Sequence, residues 1–152
     1  MAKPLLGKKF WLKYGPKWVA DTREQLFFKG KDVHGNSYPA YSTGYAEAKS
    51  RGKMKRQANQ YKDKNVPILT MDLLRSFKLH KAHGKGFVTG FDAWGNKVKE
   101  LAEKHGRELT TKDQPLPKQI IKDIERKTKG WIKKRLNKEY NKTTKVSIKT
   151  GK

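Results

Sequence analysis

Three groups of residues have types and spacings that invite chemistry. His80 and His83 are three apart, a spacing that on a helix would offer two imidazoles to one metal ion. Their local pattern is strand and turn, where they do not share a face, and a polar hairpin is the simpler reading. Asp72, Asp92, Asp113 and Asp123 are scattered carboxylates. They form no paired-acid motif and read as helix-start or turn residues. A small nuclease whose acids meet only in the fold is the enzymatic reading, and alanine at Asp72, Asp92 and Asp113 tests it. His83-Gly-Lys-Gly86 is too short for a phosphate-cradling glycine loop and falls in a turn. No catalytic constellation, metal site or cofactor is expected.

The basic residues carry more information. The chain has 37 Lys and Arg against 14 Asp and Glu, a net charge of +23. Such an excess concerns partners and solubility, not fold. Nucleic acid, an acidic protein surface and an anionic membrane surface all fit, beside the plain reading of a solvated basic exterior. The charge gathers in two places. Lys49, Arg51, Lys53, Lys55, Arg56, Lys62 and Lys64 face Asp63 alone. From Lys118 onward, thirteen Lys and Arg, among them Lys133, Lys134, Arg135 and Lys138, face Asp123, Glu125 and Glu139. These are the candidate contacts for DNA or an acidic partner. Lysine attracts phosphate without the bidentate base recognition that arginine favours. Any DNA contact should therefore be independent of sequence and sensitive to salt. Phe77 and Trp131 sit at core spacing and are assigned to packing, not base stacking. Tyr38, Tyr41 and Tyr45 crowd one loop. They either pack that loop onto the body or form a contact surface, since tyrosine is enriched in interfaces.

A length of 152 residues fits one domain with a real core. The low apolar content, 34%, implies a modest core with appended basic segments. The absence of cysteine excludes disulfides, thiolate metal sites and Cys nucleophiles. No apolar run approaches the roughly 20 residues of a membrane span, and lysines interrupt the first fifteen residues where a signal peptide would be apolar. A soluble, intracellular product is expected, with no membrane partner.

The elements that must position these groups follow from periodicity. Leu5 to Phe28 reads as helical with a break, Pro16 opening a second helix. Trp18, Thr22 and Leu26, with Val19 and Phe27, make its apolar stripe, and Gly30 ends it. Residues 31–43 form a loop turning at His34-Gly35-Asn36. Ser42 or Thr43 caps a short helix to Lys49. Residues 49–65 read as a mobile basic loop. Thr70 caps a short helix that directs Leu73, Leu74 and Phe77 inward. Phe77–Lys81 and Phe87–Phe91 form a hairpin around the glycine turn. Ala93 to His105 is a helix with Val98, Leu101 and Ala102 inward, closed by Gly106, and Arg107 to Thr111 is a third strand. A long helix opens near Pro117, with Ile121, Ile124, Thr128, Trp131, Ile132 and Leu136 on one face. It runs to about Tyr140, leaving 141–152 as a flexible tail. The expected fold class is α+β in a single domain, 1–140, with a small antiparallel sheet flanked by helices.

The order of these motifs is what points to a family. Gly35, Tyr38, Tyr41, Ser42, Tyr45 and Lys49 form an aromatic turn and short helix. Leu69, Thr70, Met71, Asp72, Leu73, Leu74, Arg75 and Ser76 form an L-T-G-x-L-x-x-S-like element, one residue longer and with Met71 where glycine is usual. A hairpin and helix follow, then Gly106-Arg107 and the proline-rich approach of Pro115 and Pro117. From about Gln25 to Leu136 the chain resembles the tail-completion and virion-morphogenesis proteins of tailed bacteriophages. The resemblance implies a non-enzymatic structural protein at the virion head–tail junction, a neck or tail-terminator subunit made in the host cytoplasm. It implies a homo-oligomeric ring, a hexamer or dodecamer, next to other neck, connector or tail proteins. Double-stranded DNA passing through the ring would be met without sequence specificity. The competing reading is a nonspecific nucleic-acid-binding protein, although no zinc finger or RRM signature is present.

Overall fold

The computed structural model describes residues 6–51, 71–92 and 95–149, with the backbone alone at 49, 71 and 142–149. The chain folds as α+β, with one two-stranded antiparallel sheet and five α-helices among the described residues. Helix α1 spans Lys8–Arg23 and continues through a π-helical segment, Glu24–Phe28. The break expected at Pro16 does not occur, and Pro16 lies within α1. A proline there deprives the Leu12 carbonyl of its helical donor. Leu12 and Pro16 are both exposed, so water can serve that carbonyl instead. The π turn is closed by the Lys29 N–H donating to the Glu24 carbonyl at 2.9 Å. Its wider pitch brings Gln25, Leu26 and Phe27 together into the interior, which a 3.6-residue period would spread around the helix. Gly30, at φ 65°, then turns the chain out of the helix.

After the loop, α2 runs Thr43–Ser50 and α3 runs Met71–Ser76. The expected cap Thr70 lies outside the described residues. Strands β1, Phe77–His83, and β2, Gly86–Phe91, pair from Phe77 opposite Phe91 to His83 opposite Gly86. The alternation Phe77, Leu79 would next place Lys81 inward. A bulge between Leu79 and Lys81 shifts the parity, and Ala82 becomes the buried residue instead, as an extra residue in one strand must do. Helix α4 is Gly95–His105. Gly106, at φ 58°, caps it in the left-handed conformation, its N–H donating to the Ala102 carbonyl. The third strand expected at Arg107–Thr111 does not form. That segment is irregular and meets the 31–37 turn through the Val33 N–H and the Glu108 carbonyl, 2.9 Å apart. Helix α5 is Lys118–Lys149, 32 residues, so the helix passes its expected end near Tyr140 by nine residues.

Two clusters make the core. One holds Phe10, Trp11, Trp18, Val19, Phe77, Ala82, Leu116 and Ile120. The other holds Leu26, Phe27, Tyr38, Leu73, Leu74, Val98 and Leu109. Phe91 packs against both, so the hairpin joins them. Helix α1 lies so close to the hairpin that a Cβ at Gly15 would meet Leu79 at 3.3 Å. The Arg23 Nε donates to the Phe77 carbonyl at 2.6 Å, tying the end of α1 to the start of β1.

Candidate nucleic-acid interface

The expected basic loop is the part the structure describes least. Lys53, Lys55, Arg56, Lys62 and Lys64 lie outside the described residues, as does the side chain of Lys49. Arg51 is exposed and pairs with Glu47 at 3.4 Å. The second basic group lies on α5. Lys133, Lys134 and Lys138 are exposed on α5, and Arg135 is half-buried. All four belong to the part of α5 beyond Trp131, the last α5 side chain in the core cluster.

The expected tyrosines are assembled around a residue that the sequence reading placed in a strand. Arg107 is 2% exposed. Its guanidinium carbon lies 4.0 Å from the Tyr41 ring centroid and 5.4 Å from that of Tyr38. Its Nη2 donates to the Pro39 carbonyl at 2.7 Å. Tyr41 and Tyr45 have ring centroids 4.6 Å apart. Tyr38 is buried in the core, whereas Tyr41 and Tyr45 are half-buried. The cluster therefore fastens the loop to the body, and only Tyr41 and Tyr45 offer an accessible edge. Burial pushes the Tyr41 phenol up to about 12, with Arg107 opposing that rise. Burial raises Tyr38 further and Asp32 adds to the rise. Asp32 in turn organises the neighbouring turn, accepting from the N–H groups of His34 at 2.9 Å and Asn36 at 2.7 Å.

Helices α1 and α5 lie side by side and antiparallel. The Trp18 Nε1 donates to Asp123 at 2.8 Å, and eight residues away in each helix Phe10 meets Trp131 at 5.3 Å between centroids. Tyr14 stacks on Trp18 at 5.7 Å and meets Trp131 edge-on at 6.4 Å. Lysines edge this seam. The Lys13 Nζ is 5.5 Å from the Tyr14 centroid and 5.9 Å from that of Trp131, and the Lys127 Nζ is 5.6 Å from Tyr14. Ammonium groups at such distances over ring faces are held by the ring quadrupole while staying open to solvent. The Trp18 end of the seam is neutralised differently, by Lys17 with Asp21 and Arg126 with Asp123. Arg126 and the Trp18 indole hold the Asp123 carboxyl below its ordinary range.

Lys9, Lys13 and Lys127 were not among the expected contacts. The signal was present as Lys9, Lys13 and Lys17 at i, i+4, i+8, but a helix broken at Pro16 hides that row. Two of the four carboxylates named in the sequence have basic partners: Asp92 with Lys78 and His80, Asp123 with Arg126. His80 also faces the Gly90 carbonyl at 3.2 Å. Among the described residues no group of three or more His, Asp or Glu is placed to hold a metal ion, and no helix is long and apolar enough to cross a membrane. Comparison with models of protein families, with curated proteins and with solved structures finds no match.

Proposed function

We propose that this chain is a structural subunit of a tailed-phage virion at the head–tail junction, a tail terminator or completion protein that closes into a homo-oligomeric ring. One observation carries the reading. Among the described residues Trp131 is the last α5 side chain in the core cluster, and the helix then continues to Lys149 as an arm with Leu136 52% exposed on it. A subunit that must grip a neighbour needs such an arm, because apolar side chains left in water gain free energy when a second surface covers them. The order of elements adds support, since aromatic turn, short helices, hairpin and Pro-led terminal helix follow one another in the order of the resemblance, although the Gly106-Arg107 segment is irregular rather than a strand. The ring's neighbours would be other neck or tail proteins, and DNA would pass without base-specific grip.

Negative-stain electron microscopy of the purified protein in moderate salt tests this reading. Closed rings of one diameter are expected, and their symmetry follows directly from the images. Monomers that stay monomeric when mixed with assembled tails would defeat it.

A second reading, a nonspecific nucleic-acid-binding protein acting outside a virion, is favoured by the exposed lysines of α5 and the net charge of +23. It predicts duplex binding by monomers and no ring under any salt condition.

A further inference from the structure

We propose that the Trp131 end of the α1–α5 seam is a docking track for the phosphate backbone of double-stranded DNA, formed by Lys9 and Lys13 of α1 with Lys127, Lys134 and Lys138 of α5. The inference deepens the head–tail reading by locating DNA contact, and it stands without ring closure. The observation behind it is the division of charge along the seam. At the Trp18 end two cations are ion-paired, Lys17 with Asp21 and Arg126 with Asp123. At the Trp131 end none of the five lysines forms an ion pair with a described carboxylate, although Lys127, one turn from Asp123, helps to lower that carboxyl, and two of them, Lys13 and Lys127, converge on one tyrosine ring. Like charges brought this close repel, and a polyanion relieves the repulsion by replacing their counterions.

The geometry suits a nucleic-acid backbone. Lys127, Lys134 and Lys138 fall at i, i+7, i+11, within one narrow stripe of a 3.6-residue helix. At 1.5 Å per residue they are spaced by about 10 Å and then about 6 Å along α5. These steps correspond to roughly three and two base-pair rises of about 3.4 Å. Lys9 and Lys13 run antiparallel on the other side of the seam. All five are lysines, point charges suited to phosphate rather than to base edges. An acidic protein would need apolar anchors at the centre of its contact. Here the aromatics within the seam are spent inside, Trp131 and Tyr14 both against Phe10, and the exposed Tyr140 lies about 200° around α5 from Lys138, on the far side from the track.

The test is fluorescence anisotropy of the full chain with a labelled random-sequence 24-base-pair duplex across a salt series. Two seam variants, Lys13→Gln/Lys127→Gln and Lys9→Gln/Lys134→Gln, are compared with a charge-matched control on α4, Lys99→Gln/Lys104→Gln. The second seam pair avoids the Tyr14 contact, so a folding defect in the first does not decide the outcome. Each seam pair should lower the slope of log K against log salt by about 1.8, and weaken binding about sixtyfold at 0.1 M salt. The control should match wild type. Equal losses in seam and control variants would reduce the effect to overall charge and overturn the proposal. So would tighter binding of polyglutamate than of duplex at equal salt, because the track would then belong to an acidic protein. Lost duplex affinity in the seam variants supports it whether or not wild type closes into rings. Rings with no duplex affinity would overturn it and leave the head–tail reading in place.

Discussion

Ile120, Ile121, Ile124 and Trp131 of α5 lie in or against the core, whereas Leu136 and Tyr140, further along the same helix, are mostly exposed. Composition does not separate the two parts, for both are lysine-rich and both carry large apolar residues at helical spacing. What separates them is α1. That helix begins at Lys8, and in the antiparallel register that sets Phe10 against Trp131 its start coincides with the last buried turn of α5. Beyond that point Lys134 and Lys138 continue the Trp131 face, while Leu136 and Tyr140 fall about 140° and about 180° around the helix from Trp131, outside the described core clusters. An amphipathic pattern therefore marks a face that wants a partner, and it does not say whether the partner is the same chain. The supported part builds the body; the unsupported part is the arm on which the functional proposal rests.

Substitutions in the two parts should have very different effects. Trp18→Ala strikes the supported part hardest. The side chain is fully buried among Phe10, Tyr14 and Phe87 and bonds Asp123, so urea denaturation should show a loss of about 3–5 kcal/mol. Arg107→Ala should follow at about 2–3 kcal/mol. It deprives the Pro39 carbonyl of its donor and removes the cation from the Tyr41 face. A loss below about 0.5 kcal/mol would show that the tyrosine loop is held by something else.

The same cluster gives an alkaline signature. The Tyr41 phenol titrates near 10 unfolded and about 12 folded, so its contribution is complete below pH 10. It is lost as pH rises through 12, because the unfolded chain releases the proton first. The denaturation midpoint should fall over that window, and Tyr41→Phe should make the fall shallower. At the acid end the sign reverses. The lowered Asp123 carboxyl stabilises the fold above the ordinary carboxylate range, and that contribution disappears as the carboxyl protonates. Asp123→Asn should flatten the acid limb of the stability profile. The smallest expected effect is on the arm: Leu136→Ala should change monomer stability by less than about 0.5 kcal/mol while reducing ring yield in micrographs. A large loss of monomer stability would mean that the distal half of α5 is already covered within one chain.

Much of the architecture was legible because local signals agreed with it. The glycines at 30, 84, 86 and 106, the alternation from Phe77 and the three-four spacing after Pro117 identified a helix end, a hairpin and the terminal helix. Where the structure departs from local pattern, the causes are specific. Pro16 marks a helix start by local cost, since a mid-helix proline is unfavourable, yet burial of Phe10, Trp11, Trp18 and Val19 along one continuous helix outweighs the loss of one hydrogen bond whose carbonyl faces water. Arg107 was placed in a strand because alternation over five residues cannot reveal that a guanidinium will lie between aromatic rings contributed by residues some seventy positions away.

Composition and short-range periodicity suffice for the α+β class, the identity of most elements, the strong positive charge and its concentration toward the C-terminus. Which lysines stand together and which tyrosines are accessible is settled by tertiary packing. Those outcomes depend on the register between α1 and α5 and on the fold of the loop around Arg107. Both are set by packing between residues distant in the chain, where no local pattern carries the information.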